Sequence, residues 1–189
     1  MADKLTDEEQ KTLLKLAREA LEDSVNGKAQ ASIDPAVLTP RLSEMGASFV
    51  TLTVDGALRG CIGALEAYQP LVEDVREHAI AAGLDDPRFP PVTPAELERI
   101  DVEVSRLTAP LALEYETPEE LLKKLRPHVD GVILRDGFRR ATFLPQVWEK
   151  LPDPADFLDN LCYKMGADQH LWRRKHLDVQ IYQVEEFHE

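Results

Sequence analysis

Cysteine is scarce in this chain, with only Cys61 and Cys162 present. Two thiols about a hundred positions apart exclude a disulfide framework and a Cys-x-x-Cys zinc or redox pair. Sequence leaves a single bridge between them open, but reduced thiols are the expectation for a cytosolic chain. Long apolar runs are missing too: no stretch approaches the roughly 18 residues a membrane span requires. The N-terminus, Met-Ala-Asp-Lys-Leu-Thr-Asp-Glu-Glu, carries charge where a signal peptide needs an apolar run. The expectation is a cytoplasmic protein with no membrane association. Positive charge is also in short supply, 22 Lys and Arg against 35 Asp and Glu, giving a net charge of −13. Such a balance repels phosphate backbones and argues against nucleic-acid binding.

Several site signatures are likewise absent. The five histidines, His78, His128, His170, His176 and His188, show no metal-ligand spacing, so no metal is expected. No phosphate-binding glycine loop or Ser-centred nucleophile elbow occurs, and the sequence names no cofactor. The basic clusters Arg135, Arg139, Arg140 and Arg173-Arg174-Lys175 read as charges offsetting neighbouring acids, with a small anionic ligand as the alternative.

What remains is an ordinary globular composition in 189 residues, 43 % hydrophobic and 30 % charged, enough for one domain with a real core. Thr6 and Glu9 form a capping box for a helix with Leu13, Leu16, Ala17, Ala20 and Leu21 on one face, ended by Asn26-Gly27. In residues 48–54, Val50, Leu52 and Val54 alternate with Thr51 and Thr53 as a half-buried strand. Asp55-Gly56 is a two-residue hairpin signal, and the strand returns over Ala57 to Ile62. Pro70 opens a helix carrying Leu71, Val75, His78 and Ala82 on one face, and Gly83 stops it. The proline-rich run Asp85 to Val92 is a loop. Capping boxes recur at Thr93–Glu96 and Thr117–Glu120; between them Ile100, Val102 and Val104 mark a strand.

The second half echoes the first. A hairpin around Asp136-Gly137, a helix from Asp153-Pro154 with Phe157, Leu158, Leu161 and Met165, and a strand over 178–184 repeat the order hairpin, helix, strand. The predicted fold is α+β, with a mostly antiparallel, curved, barrel-like sheet built from two duplicated hairpin-helix-strand units and helices packed outside. A single domain over 1–189 is expected, divisible into lobes of about 1–108 and 109–189.

The chemistry is expected at Leu58-Arg59-Gly60-Cys61-Ile62-Gly63. With a two-residue turn, Leu52 faces Arg59 and Val50 faces Cys61, so arginine and cysteine share the apolar face. A bulge would flip that assignment. A guanidinium about 7 Å along the strand favours a thiolate nucleophile, and a charge on an apolar face requires an anion. Gly60 and Gly63 let a ligand or a neighbouring backbone come close. The competing reading makes Cys61 a small buried hydrophobe, Arg59 the partner of a structural carboxylate, and the glycines a bulge or bend. His78 reads as a satisfied core residue, able to serve Cys61 as a base only if the fold brings the two together.

These residues resemble the signature of the AMMECR family. The likeness extends in order through Phe49-Val50-Thr51-Leu52, Asp86-Pro87-Arg88-Phe89-Pro90-Pro91-Val92, Glu103-Val104-Ser105, Asp130-Gly131-Val132, Phe143-Leu144-Pro145-Gln146-Val147, Phe157-Leu158 with Lys164, and Trp172. A compact acidic chain of this length is similar to the bacterial and archaeal members of the AmmeMemoRadiSam system, which are encoded beside a Memo-like protein and a radical-SAM enzyme. The resemblance implies two duplicated β-α units in one barrel-like sheet and supplies no activity. It marks Leu58 to Gly63 and the Asp86-Pro87-Arg88-Phe89 loop as the site. Arg88 either joins Arg59 in holding an anion or, with Asp86, only pins the loop. Two functions stand side by side: an enzyme or enzyme component acting on a small anionic molecule through Cys61 and Arg59, and a non-catalytic module docking to a Memo-like or radical-SAM partner.

Overall fold

The computed structural model describes residues 4–189; Met1–Asp3, part of the charged N-terminus read above, lie outside the described residues. The chain divides into two units, Met1–Thr108 with Glu185–Glu189 and Ala109–Val184. Among the described residues no helix is long and apolar enough to cross a membrane.

The first unit opens with α1 (Asp7–Val25), set by the expected capping box: the Thr6 hydroxyl accepts from the Glu9 N–H while the Glu9 carboxylate accepts from the Thr6 N–H. Leu13, Leu14, Ala17, Ala20 and Leu21 form its buried face, and Leu16 lies at the edge of that face. A short α2 (Pro40–Ser43), capped by Thr39, leads into β1 (Met45–Val54). Asp55 and Gly56 both take positive φ, +53° and +77°, as a type I′ turn requires, and β2 (Ala57–Gly63) returns antiparallel. The two-residue β3 (Gln69–Pro70) pairs with the start of β1. The helix α3 (Leu71–Leu84) then lays Leu71, Val72, Val75, Ala79 and Ala82 on the sheet. The Thr93–Glu96 capping box forms, but it opens a six-residue 3-10 turn, Pro94–Arg99, rather than an α-helix. The strand β4 (Ile100–Leu107) pairs antiparallel with β1, setting Val104 against Val50 and Val102 against Leu52 in the core.

The second unit repeats this order. After β5 (Leu111–Ala112) and α4 (Pro118–Lys124) come the hairpin strands β6 (Gly131–Asp136) and β7 (Arg139–Phe143). The helices α5 (Pro154–Lys164) and α6 (Leu171–Arg174) follow, and β8 (Asp178–Tyr182) pairs with β6. Sheet order is β5-β8-β6-β7. The Trp148 ring stacks on Phe157 with centroids 3.7 Å apart, and its Nε1 donates to the Asp130 carbonyl at 2.7 Å, so a large aromatic is buried with its polar atom satisfied. Cys162 is fully buried in this core.

The strand expected over 178–184 is two strands. The chain breaks at Gln183, and β9 (Val184–His188) joins the first sheet beside β4, giving β2-β1-β4-β9. The α+β class and the antiparallel pairing are as expected. The order β2-β1-β4 in one sheet corresponds to β7-β6-β8 in the other. Among the described residues no closed barrel forms, however: the strands divide between two sheets, each ending on a hairpin strand. At Cys61 the outer edge of β2 is occupied by side chains from the 85–92 loop rather than by another strand.

Candidate active site

The register of β1 against β2 decides where the Leu58–Gly63 side chains go. Val54 pairs with Ala57 and Thr53 with Leu58, but Leu52 then pairs with Gly60, Thr51 with Cys61 and Val50 with Ile62. Arg59 is the extra residue of a β-bulge. Opposed residues point to one side, so Cys61 lies with Thr51 on the face away from the Val50–Leu52 core. The expected sharing of an apolar face by Arg59 and Cys61 is therefore corrected, because one bulged residue shifts everything after it to the opposite face.

Arg59 is engaged within the protein. Its Nε donates to Glu96 Oε1 at 2.8 Å and its Nη1 to the Pro90 carbonyl at 2.9 Å, with the side chain only 13 % exposed. The Arg59 guanidinium, followed by the Thr93 N–H and hydroxyl, holds the Glu96 carboxyl down to about 2. The structural-carboxylate reading thus describes Arg59, and its partner closes the second capping box.

The glycines answer to backbone and packing. A Cβ on Gly60 would lie 2.0 Å from the Ala82 carbonyl oxygen of α3, and one on Gly63 would lie 2.4 Å from both Phe49 Cγ and the Ser48 carbonyl oxygen. Of the two approaches left open by the sequence, that of a neighbouring backbone is the one seen at Gly60. Ile62 packs against the core, whereas Leu58 is exposed.

Cys61 is held from both edges. Its N–H donates to Asp86 Oδ2 at 2.9 Å, and its carbonyl accepts from Arg88 Nη2 at 3.2 Å. Asp86 and Arg88 are themselves joined through Oδ2–Nη2 at 2.6 Å and Oδ1–Nε at 2.9 Å. Asp86 is buried, and the Arg88 side chain first, then the Cys61 N–H, keep its carboxyl well below the usual carboxylate range. The Arg88 side chain is 53 % exposed. Asp86 pins the loop while Arg88 also presents a guanidinium to solvent beside the strand. Cys61 is half-buried, and the Thr51 hydroxyl donates to its sulfur at 3.3 Å. Thr51 in turn pairs with Glu103 on β4, so Cys61, Thr51 and Glu103 form one cross-strand row. Sequence reasoning did not bring Thr51 and Glu103 into one row with Cys61; their alternation with Leu52 and Val102 was the signal, placing both on the outer face.

His78 makes no hydrogen bond with Cys61. It belongs to a separate chain in which Ser48 Oγ donates to Asp74 Oδ2 at 2.6 Å, His78 Nδ1 lies 3.2 Å from the same oxygen, and His78 Nε2 lies 3.4 Å from the Tyr68 hydroxyl. Neither a cavity of about 330 Å³ over α1 nor one of about 220 Å³ in the second unit includes Cys61 or Arg59. Among the described residues no group of three or more His, Cys, Asp or Glu is placed to hold a metal ion.

The AMMECR1 family model matches residues 14–187, nearly the whole chain. The chain belongs to the AMMECR1 family. A protein of Methanothermobacter thermautotrophicus is 41 % identical over 98 % of this chain and 96 % of its own length, and one of Methanopyrus kandleri is 39 % identical over 100 % and 92 %. The crystal structure of an uncharacterised protein from Pyrococcus horikoshii superposes with a TM-score of 0.77 at 36 % identity, covering 98 % of this chain and 93 % of that one. Family membership thus accords with the fold, and it brings no activity with it.

Proposed function

We propose that the chain is an enzyme, or an enzyme component, acting on a small anionic molecule on the outer face of the first sheet. In this reading Cys61 is the nucleophile and Arg88, rather than Arg59, the anion anchor. The observation that carries it is a half-buried cysteine on a backbone fixed at both N–H and C=O, with a half-exposed guanidinium held at its carbonyl by a buried carboxylate. Such immobilisation holds a reacting atom in attack geometry.

Alkylation tests this reading. Cys61 is expected to react at pH 7 at least tenfold faster with iodoacetate than the same thiol in urea-unfolded chain, with fully buried Cys162 as the silent internal control. Arg88→Gln should reduce the preference for iodoacetate over neutral iodoacetamide. A native rate no higher than the unfolded one removes the nucleophile.

A second reading is favoured by the apolar residues exposed beside the segment, Leu58 at 45 %, Leu65 at 37 % and Tyr68 at 51 %. They suit a docking surface for a protein partner, the Memo-like or radical-SAM protein being the ones to try. Leu58→Asp is expected to abolish co-purification with such a partner while leaving the fold intact. Arg59→Ala is a poor probe, since it strips Glu96 of its ion pair and disturbs the loop.

A further inference from the structure

The cavity of about 330 Å³ in the first unit does not include Cys61 and is built by α1 and the 30–34 segment facing each other, with Arg76 of α3 at its side. On α1, Leu16 and Ala20 line it, flanked on the same stripe by Lys15, Glu19 and Asp23 at helical spacings of three and four. Across from them runs the 30–34 segment, which contributes Ile33 and Asp34. This segment is a strap fastened from both helices. Gln30 Nε2 donates to the Ala20 carbonyl at 3.1 Å and to Ser24 Oγ at 2.9 Å, tying it to α1. From α3, Arg76 Nη2 donates to the Ala31 carbonyl at 2.7 Å and to Gln30 Oε1 at 3.3 Å. The opening is therefore held in place by side-chain hydrogen bonds, and its size falls at the small end of the roughly 300–1,000 Å³ range of ligand clefts.

Charge decides what fits. Three carboxylates line the cavity, those of Glu19, Asp23 and Asp34, against two cations, Lys15 and Arg76. Arg76 is already engaged with Gln30, the Ala31 carbonyl and Glu73, the last at 3.4 Å, and its side chain is only 13 % exposed. Lys15 lies 3.8 Å from Glu19 in an exposed pair. Glu19 and Asp23 stand one helical turn apart as like charges, an unfavourable spacing that a nearby cation relieves. The floor is apolar and the rim is short of positive charge.

We propose that this cavity is a binding site for a small amphipathic amine, with an apolar body on Leu16, Ala20 and Ile33 and an ammonium group facing Asp23 and Asp34. It is separate from the Cys61 face and does not depend on that assignment. The test is titration of the 15N-labelled full chain with phenethylammonium, 3-phenylpropionate and 2-phenylethanol, followed by amide shifts. Phenethylammonium is expected to shift amides within 15–34 saturably and to bind at least tenfold more tightly than 3-phenylpropionate. Asp23→Asn, at a surface helix position that caps nothing, should weaken the amine at least threefold and leave 2-phenylethanol unchanged. A bulky plug, Ser32→Trp, should abolish binding of both. Shifts that do not saturate, or a carboxylate that binds as tightly as the amine, would overturn the proposal.

Discussion

Gly60 has no room for a methyl group. The Ala82 carbonyl that would lie 2.0 Å from its Cβ is part of the α3 backbone, so relief requires moving a helix rather than turning a side chain. Gly60→Ala is expected to destabilise the protein by about 3 kcal/mol or more, at the upper end of overpacking effects; a melting temperature within about 2 °C of wild type would show that α3 is free to retreat. Glu96 carries the second residue-scale consequence. Because Arg59 and Thr93 hold its folded-state carboxyl at about 2, the folded form favours the ionised group. The stabilisation is complete above the unfolded carboxyl's value near 4.3 and is lost as pH falls from there toward 2. With solvent screening allowed for, the pair contributes about 1 kcal/mol. The melting temperature of Glu96→Gln should accordingly lie below that of wild type at pH 6, the gap closing as pH approaches 2. A gap independent of pH would assign the loss to packing instead.

At the scale of elements, the edge of β2 explains both what was legible in the sequence and what was not. The turn was readable, because Asp55-Gly56 is a local signal and both residues adopt the positive φ it demands. Even so, the matching Asp136-Gly137 turn differs: Asp136 pairs with Arg139, so the loop is Gly137-Phe138. The bulge at Arg59 was not readable, since it arises from pairing across strands and leaves no mark in the alternation of Val50, Leu52 and Val54. That one residue moved Cys61 to the opposite face and sent Arg59 to Glu96. The clamp by Asp86 and Arg88 joins positions 25 and 27 residues from Cys61 and was visible only as two open alternatives for the loop. It takes the place of a neighbouring strand, covering an edge that would otherwise offer its N–H and C=O groups for pairing. Asp86→Ala is expected to accelerate hydrogen exchange of the Cys61 amide at least tenfold while leaving the β1–β4 amides protected. Equal acceleration in β1 and β4 would mean that Asp86 supports the whole sheet rather than its edge.

Across the whole molecule, the repeated order of hairpin, helix and strand was legible because each half carries its own turn signal and apolar periodicity. The closing strand was not, because Val184–His188 reads as a continuation of the strand before it, yet the break at Gln183 assigns it to the other sheet. The first unit thereby draws on both ends of the sequence. Phe187 is buried in its core, Glu185 pairs with Arg106 at 2.8 Å with both side chains under 10 % exposed, and Glu189 pairs with Arg18 of α1. Glu185 also accepts from the Leu5 N–H, tying the start of the described chain to its end. Removing residues 185–189 deletes a core phenylalanine, a loss of about 3–5 kcal/mol by analogy with truncation to alanine. It also removes two ion-pair partners of the first unit. The second unit loses none of its core, since Trp148, Phe157 and Trp172 pack only among residues of 109–184 in their hydrophobic cluster. The shortened chain should therefore show collapsed amide dispersion for α1 and the β1–β4 sheet while keeping the Trp148 and Trp172 indole resonances of the folded protein. Loss of those indole signals together with the first unit's amides would show instead that the two units fold as one cooperative body.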